Sequence, residues 1–248
     1  MSYERFAYLY DELMKDAPYD QWVSYVQNIL VKYDVKAGKL LDLACGTGEL
    51  SVRFAQQGFD VTGIDLSEDM LSVAQAKAEE KGVKIPFFQQ NMANLEGQEL
   101  FDVIGIFCDS LNYLQKEDEV KSTFSNVHQH IQDNGVFIFD VHSLYKMNDI
   151  FINQTFALNE EEVSYIWHSF PGEFPNSVEH ELSFFVFDDR SGKYDRIDEL
   201  HFQRTYPIEI YLNWLEAAGF QILEVGADFE HIEPNEHTER IFFVARKK

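Results

Sequence analysis

Leu40-Leu41-Asp42-Leu43-Ala44-Cys45-Gly46-Thr47-Gly48-Glu49-Leu50 is the stretch whose reading decides the fold. An apolar run ending at Ala44 has the texture of a buried strand, and a helical pattern begins at Glu49. The two glycines between them let the backbone approach a ligand closely, and the helix that follows offers unpaired N–H groups to a polar or anionic group. Seventeen residues past Gly48, at the end of the next apolar run, stands Asp65. A carboxylate there can accept both hydroxyls of a ribose. A dinucleotide site would continue the pattern G-x-G-x-x-G, but its third glycine position holds Ser51. The close helix–strand approach that a pyrophosphate exploits therefore lacks its residue, which counts against a nicotinamide cofactor.

Outward from this turn, short apolar runs alternate with amphipathic helices. Lys39–Ala44 reads as a first strand, Glu49–Gln57 as a helix ended by Gly58, and Phe59–Ile64 as a second strand. Glu68–Lys81 reads as a helix with Ser67 as N-cap and Gly82 just past its end. Strands are expected at Lys84–Gln89, Val103–Phe107 and Val136–Val141, with a helix around Val120–Ile131. Such alternation is the signature of a parallel sheet covered on both faces.

Residues 151–206 break the pattern. Val163–Phe170, Val178–Phe187 and Tyr194–Tyr206 are aromatic and β-branched with partial period-two alternation, and Asp188-Asp189-Arg190-Ser191-Gly192 has hairpin-turn composition. Three or four antiparallel strands are expected. Pro207 then opens a helix (Ile208–Ala218) ended by Gly219, and Phe220–Gly226 and Arg240–Arg246 are expected to pair at the sheet edge. Before all this, residues 5–33 carry apolar residues at helical spacing (Phe6, Leu9, Tyr10, Leu13, Met14, then Trp22, Val23, Val26, Ile29, Leu30), broken at Pro18. The expected organisation is an α/β domain of residues 1–150 and 207–248 with a helical segment at 1–36, interrupted by an antiparallel β insertion at 151–206.

The chain has 248 residues, a formal charge of −23 from 20 basic and 43 acidic residues, and no apolar run near the roughly 20 residues of a membrane span. Phosphate backbones would be repelled by such a surface, and Lys247-Lys248 is too short for a basic patch, so nucleic acid is disfavoured as a partner. Cys45 and Cys108, the two cysteines present, make neither a disulfide framework nor a metal-ligand spacing. Two buried thiols, with no charged and apolar leader at Met1-Ser2-Tyr3-Glu4, point to a cytoplasmic location.

The segment D-x-A-C-G-T-G-x-L (Asp42–Leu50), followed by G-x-D-x-S-x-x-M-L (Gly63–Leu71), resembles the first two motifs of class I S-adenosylmethionine-dependent methyltransferases. Gln90-Asn91-Met92 resembles that family's adenine-contacting turn, and Phe101–Leu114 its fourth-strand motif; the likeness spans roughly residues 38–142. The resemblance implies a Rossmann-like, seven-stranded, mostly parallel sheet with helices on both faces. It implies S-adenosylmethionine as cofactor, with Gly46 and Gly48 along its methionine part beside Asp42 and Ala44. Asp65 would hold the ribose, Leu66 and Met70 flank the adenine, and Asn91 and Met92 sit at its polar edge. Asn91 stands where many relatives have Asp, but its side-chain oxygen still accepts from the adenine amine. Cys108 would face the methyl donor, and Tyr10 and Trp22 resemble a helical lid over the methionine end.

Asp109 and His142 lie just past the ends of neighbouring strands, where open α/β sheets bind ligands, and either can orient a nucleophile or take its proton. Tyr165, Trp167, His168, His180, His201 and Tyr206 read as packing or surface residues of the insertion. The insertion sits where sugar-amine and glycine N-methyltransferases build a substrate cover. The expected activity is methyl transfer to a nitrogen or oxygen of a small molecule, by a monomer or homodimer without a metal. Two alternatives remain at this stage: a non-catalytic protein that retains the cofactor pocket, and an RNA methyltransferase.

Overall fold

The computed structural model describes residues 10–11, 14–36, 38–97 and 99–247; the expected helical positions Phe6, Leu9 and Leu13 lie outside them. Helix α1 (Tyr19–Lys32) precedes β1 (Lys39–Leu43), α2 (Glu49–Gln56), β2 (Asp60–Asp65), α3 (Glu68–Glu80), β3 (Phe87–Gln89) and β4 (Phe101–Ile106). A 3-10 turn (Ser110–Tyr113), α4 (Glu117–His130) and β5 (Ile131–His142) follow. A π-helical turn (Lys146–Phe151) then leads into β6 (Thr155–Asn159), β7 (Val163–Pro171), β8 (Ser177–Asp188) and β9 (Lys193–Arg204). The chain closes with α5 (Ile208–Ala217), β10 (Phe220–Ala227) and β11 (Arg240–Lys247).

The strands form two sheets. A seven-stranded sheet has the order β10-β11-β5-β4-β1-β2-β3, and a four-stranded one the order β6-β7-β8-β9. In the larger sheet β1 through β5 run parallel, and the hairpin β10–β11 is antiparallel at the edge, β11 pairing with β5. The smaller sheet is antiparallel throughout. It has four strands because Thr155–Asn159 pairs with Ser164–His168.

Strand periodicity sorts side chains to the two faces of the large sheet. Leu40, Val103, Val136 and Ile138 pack against α1 and α2 through Trp22, Val26, Ile29 and Phe54. Leu41, Leu43, Ile104, Phe137 and Phe139 pack against α4 and α5 through Phe124, Val127, Tyr211 and Leu215. Asp140 follows Val136 and Ile138 in parity, which aims its carboxylate at α1.

Three boundaries differ from expectation. β3 is cut to Phe87–Gln89 because Pro86 has no N–H to give to the ladder; its carbonyl instead accepts from Gly63 N at 3.0 Å. β5 begins at Ile131, ahead of Val136, across an irregular register beside Phe101. α4 begins at Glu117, its first turn carrying Glu117, Asp118 and Glu119, whose charges favour a helix N-terminus. Ser67 caps α3 as expected, its hydroxyl accepting from Met70 N at 3.3 Å. Among the described residues no helix is long and apolar enough to cross a membrane.

Candidate active site

The β1–α2 turn is built around backbone that glycine tolerates best. Gly46 and Gly48 take φ of 54° and 72°. At Gly46 a Cβ would meet no atom of the described residues within 4 Å, and Gly46 lines a cavity. At Gly48 a Cβ would stand 2.8 Å from the Cβ of Ala74, because α3 crosses there. The two glycines thus do different work, one leaving room and the other admitting a neighbouring helix. Gly48→Ala is expected to cost about 2–4 kcal/mol of stability, from left-handed strain and overpacking. Gly46→Ala carries the left-handed strain without the overpacking, so it is expected to cost only about 1–2 kcal/mol of stability and to weaken cofactor binding. Thermal unfolding and calorimetry on the pair test this, and an equal stability loss in both would contradict it.

Asp65 closes the turn from the other side. One carboxylate oxygen accepts from Gly46 N at 2.7 Å and the other from Ser67 N at 2.9 Å. Burial raises its pKa, against the pull of those backbone donors. Asp42, buried at the end of β1, accepts from the Ser51 hydroxyl at 2.5 Å. Burial pushes its pKa up to about 7, the Ser51 bond opposing the shift and the Asp65 charge adding to it. Ser51, in the place of a third glycine, therefore supplies a donor that holds Asp42 in place.

Asp42, Gly46 and Asp65 line a cavity of about 490 Å³ together with Tyr10, Ala44, Leu66, Met70, Asn91, Met92 and Cys108. Every expected cofactor residue falls on this cavity except Gly48, behind the turn, and Trp22. Trp22 is 3% exposed in the core, where its indole donates to Asp140 at 2.8 Å and meets Phe229 edge-on. The expectation of Trp22 as a lid residue is corrected accordingly: the spacing that put it on a helical apolar face is that of core packing. Asp11 accepts from the Thr47 hydroxyl and pairs with Lys77 at 2.8 Å, beside the β1–α2 turn.

A second cavity, also about 490 Å³, opens beneath the inner face of the four-stranded sheet. Its walls include Phe151, Phe156, Tyr165, Trp167, Leu182 and Phe184, and its polar groups include Asp109, His142, Lys146, His180, Gln203 and Glu239. Tyr165, Trp167, His180 and His201, which read from the sequence as packing or surface, all face this cavity; His168 is exposed and Tyr206 is core. Alternation separates the inner residues from the outer ones, but which parity faces inward depends on how the sheet docks. That docking runs through Asn112, whose amide donates to Arg204 O at 2.8 Å and accepts from His142 N at 2.9 Å.

Asp109 and His142 are brought together, with His142 Nε2 3.2 Å from Asp109 Oδ2. Asp109 also accepts from Gln203 Nε2 and from Arg240 Nη2, each at 2.9 Å. Burial would raise the Asp109 pKa, but His142 and Arg240 beside it pull it well below the usual carboxylate range. Burial lowers the His142 pKa despite Asp109, leaving a neutral imidazole that donates Nε2–H. Its Nδ1 is buried and has no hydrogen-bond partner among the described residues. His180 is likewise neutral, its pKa lowered by burial to about 4, and Trp167 and Ser169 donate to its Nδ1 at 2.9 and 2.7 Å.

Behind Asp109 lies Asp140, fully buried, which accepts from Trp22 Nε1, from Cys108 N at 3.0 Å and Asp109 N at 2.9 Å, and contacts Arg240 Nη1. Cys108 and Asp109 both have φ of 53°, a strained conformation for residues with side chains, and the Asp140 carboxylate holds their two N–H groups in it. Asp140, Arg240 and Gln203 were absent from the sequence-derived set. Among the described residues no group of three or more His, Cys, Asp or Glu side chains could hold a metal ion.

Residues 40–135 match a family model described as a methyltransferase domain. A protein of Geobacillus sp. (strain WCH70) that carries a provisional methyltransferase name is 56% identical over all of this chain and all of its own. The crystal structure of an S-adenosylmethionine-dependent methyltransferase from Clostridium acetobutylicum ATCC 824 superposes with a TM-score of 0.90 at 32% identity, covering 99% of this chain and 98% of that one. An amino pentose methyltransferase from Micromonospora echinaspora, solved with S-adenosylmethionine bound, shares the fold at TM-score 0.76 and 19% identity, over 97% of this chain and 96% of its own. The chain belongs to the class I S-adenosylmethionine-dependent methyltransferases, and S-adenosylmethionine is its cofactor.

Proposed function

We propose that the protein transfers the methyl group of S-adenosylmethionine to a nitrogen or oxygen of a small molecule held in the second cavity. One observation carries this reading: the two cavities share Tyr10, Cys108, Ser110, Tyr113 and His201 as walls, so a donor in one and an acceptor in the other meet at a common seam. The four-stranded sheet, Thr155 to Arg204, serves as the cover that excludes water from the acceptor. The size of the acceptor cavity, about 490 Å³, and the acidic charge of the chain favour a small acceptor over RNA, and a non-catalytic role would leave the second cavity without a use.

The cofactor supplies an electrophilic methyl group on a sulfonium, so the protein's task is alignment more than acid–base chemistry. Asp65 would hold the ribose, Asp42 and the Gly46 backbone the methionine end, and Met70, Asn91 and Met92 the adenine. Asp109, with three donors on its carboxylate, is a positioning group; it fixes the tautomer and plane of His142. His142 Nδ1 retains a basic lone pair beside the acceptor cavity; because that atom is buried, it receives a proton from the acceptor only when the ring turns towards the cavity.

His142→Ala is expected to lower transfer about 10²–10³-fold while cofactor affinity stays within about twofold. The assay incubates the protein and labelled S-adenosylmethionine with a whole-cell extract and then separates small molecules from RNA. Label appearing in RNA fractions, or in none despite measured cofactor binding, would overturn the proposal.

A further inference from the structure

The charged cluster behind the seam does not cancel itself. Asp109 and Asp140 are two carboxylates facing one guanidinium, Arg240, whose Nη2 lies 2.9 Å from Asp109 and whose Nη1 contacts Asp140. The side chains of all three are at least four-fifths buried, and the indole of Trp22 closes the cluster from below, with the Arg240 guanidinium 4.9 Å over its ring. A charged His142 is disfavoured by burial, and its second N–H, at the buried Nδ1, would find no acceptor among the described residues. Lys146, nearby, is matched by Glu239 at 3.2 Å. One negative charge is left over, and the backbone it holds, Cys108, lines both cavities.

We propose that the Asp109–Asp140–Arg240 cluster makes the protein distinguish the positively charged methyl donor from its neutral demethylated product, favouring the donor. The inference rests on the cofactor site described above and gives it a second duty. After transfer the sulfonium becomes a thioether, the attraction to the buried charge disappears, and the product is released more readily than its remaining contacts would allow. Donor and product share their adenine, ribose and amino-acid parts, so the ratio of their affinities isolates the charge. Two unit charges about 10 Å apart at an effective dielectric of ~20 shift such a ratio roughly tenfold. The acidic surface also attracts a cation, but salt screens that contribution and leaves a buried cluster largely untouched.

The experiment measures dissociation constants of S-adenosylmethionine and S-adenosylhomocysteine by calorimetry in high salt, for the full chain and two variants. Asp140→Asn removes one unit of charge at nearly constant size, and the product-to-donor ratio of dissociation constants is expected to fall roughly tenfold. Trp22→Phe removes a hydrogen bond to Asp140 but no charge; it is expected to leave the ratio unchanged even if both affinities drop. An unchanged ratio in Asp140→Asn, or equal shifts in the two variants, overturns the inference. Should Asp140→Asn fail to fold, Asp109→Asn removes the same unit of charge from the cavity side, with the same expected and contrary results. If the unsubstituted protein bound neither ligand, the cofactor site itself would be wrong, a failure visible before any variant is made.

Discussion

Replacing Asp65 by Ala is expected to weaken binding of S-adenosylmethionine and S-adenosylhomocysteine by at least about 100-fold. Two hydrogen bonds from ribose hydroxyls to a carboxylate, at about 1.5–3 kcal/mol each, account for a loss of that size. Asp65 also anchors Gly46 N and Ser67 N, at 2.7 and 2.9 Å, so its removal loosens the turn at both ends of the adenosyl site. The fold itself should tolerate the change. Burial raises the Asp65 pKa, so its charged form is held less favourably in the folded chain than in the unfolded one and its removal forfeits no electrostatic stability. The signature is therefore a lost calorimetric signal with a melting temperature that shifts by only a few degrees. Asp65→Asn, which keeps one acceptor oxygen, should fall between the two. In the unsubstituted protein, cofactor affinity should weaken as pH falls towards the raised pKa and the acceptor oxygen gains a proton. An Asp65→Ala protein that binds both ligands as before would remove the basis for the cofactor site.

The cofactor half of the site was legible because its chemistry is local in the chain. Leu40 to Leu50 spell strand, turn and helix in one stretch, and Asp65 ends the strand that pairs with β1 in register. The alternation of apolar runs and amphipathic helices carried the seven-stranded sheet with it, down to Ser67 as a cap. Ser51 was legible as a departure from a dinucleotide site, whereas its bond to Asp42 was not. What could not be read are the contacts between residues far apart in sequence. Trp22 reaches Asp140 across 118 positions and Arg240 reaches Asp109 across 131, and no periodicity within a helix or strand encodes such pairs. The same blindness misplaced Trp22 on the cofactor, since a lid residue and a core residue share the same helical spacing. The acceptor side depended on β7, β8 and β9 turning Trp167, His180 and Gln203 inward in adjoining registers, His180 opposite His201. A one-residue slip would have presented the other parity, so Tyr165 and His168 read alike until the sheet is docked.

Arg240→Met should be among the most destabilising single substitutions in the protein, at about 3–5 kcal/mol near neutral pH. Methionine fills much of the volume, so packing over the Trp22 ring changes little and the cost is electrostatic. Two buried carboxylates, Asp109 and Asp140, would face each other without the cation that now bonds to both. For a chain of this length such a loss corresponds to a melting temperature lower by roughly 10 °C. The sign of the pH dependence sets this mechanism apart from simple loss of packing. In the unsubstituted protein Asp109 has a depressed pKa, so its stabilising contribution is present above the unfolded carboxylate value and is lost as pH falls below it. In Arg240→Met the unpaired carboxylates are pushed the other way, and taking up a proton relieves their repulsion. The stability gap between the two proteins should therefore narrow as pH falls from neutral into the acid range. Combining Arg240→Met with Asp140→Asn should cost less than the sum of the two, because the second change removes the charge that the first leaves stranded. Urea unfolding at several pH values reads all three quantities. A loss below about 1 kcal/mol, or a gap that stays constant with pH, would show that the guanidinium does not hold this corner of the site together by charge.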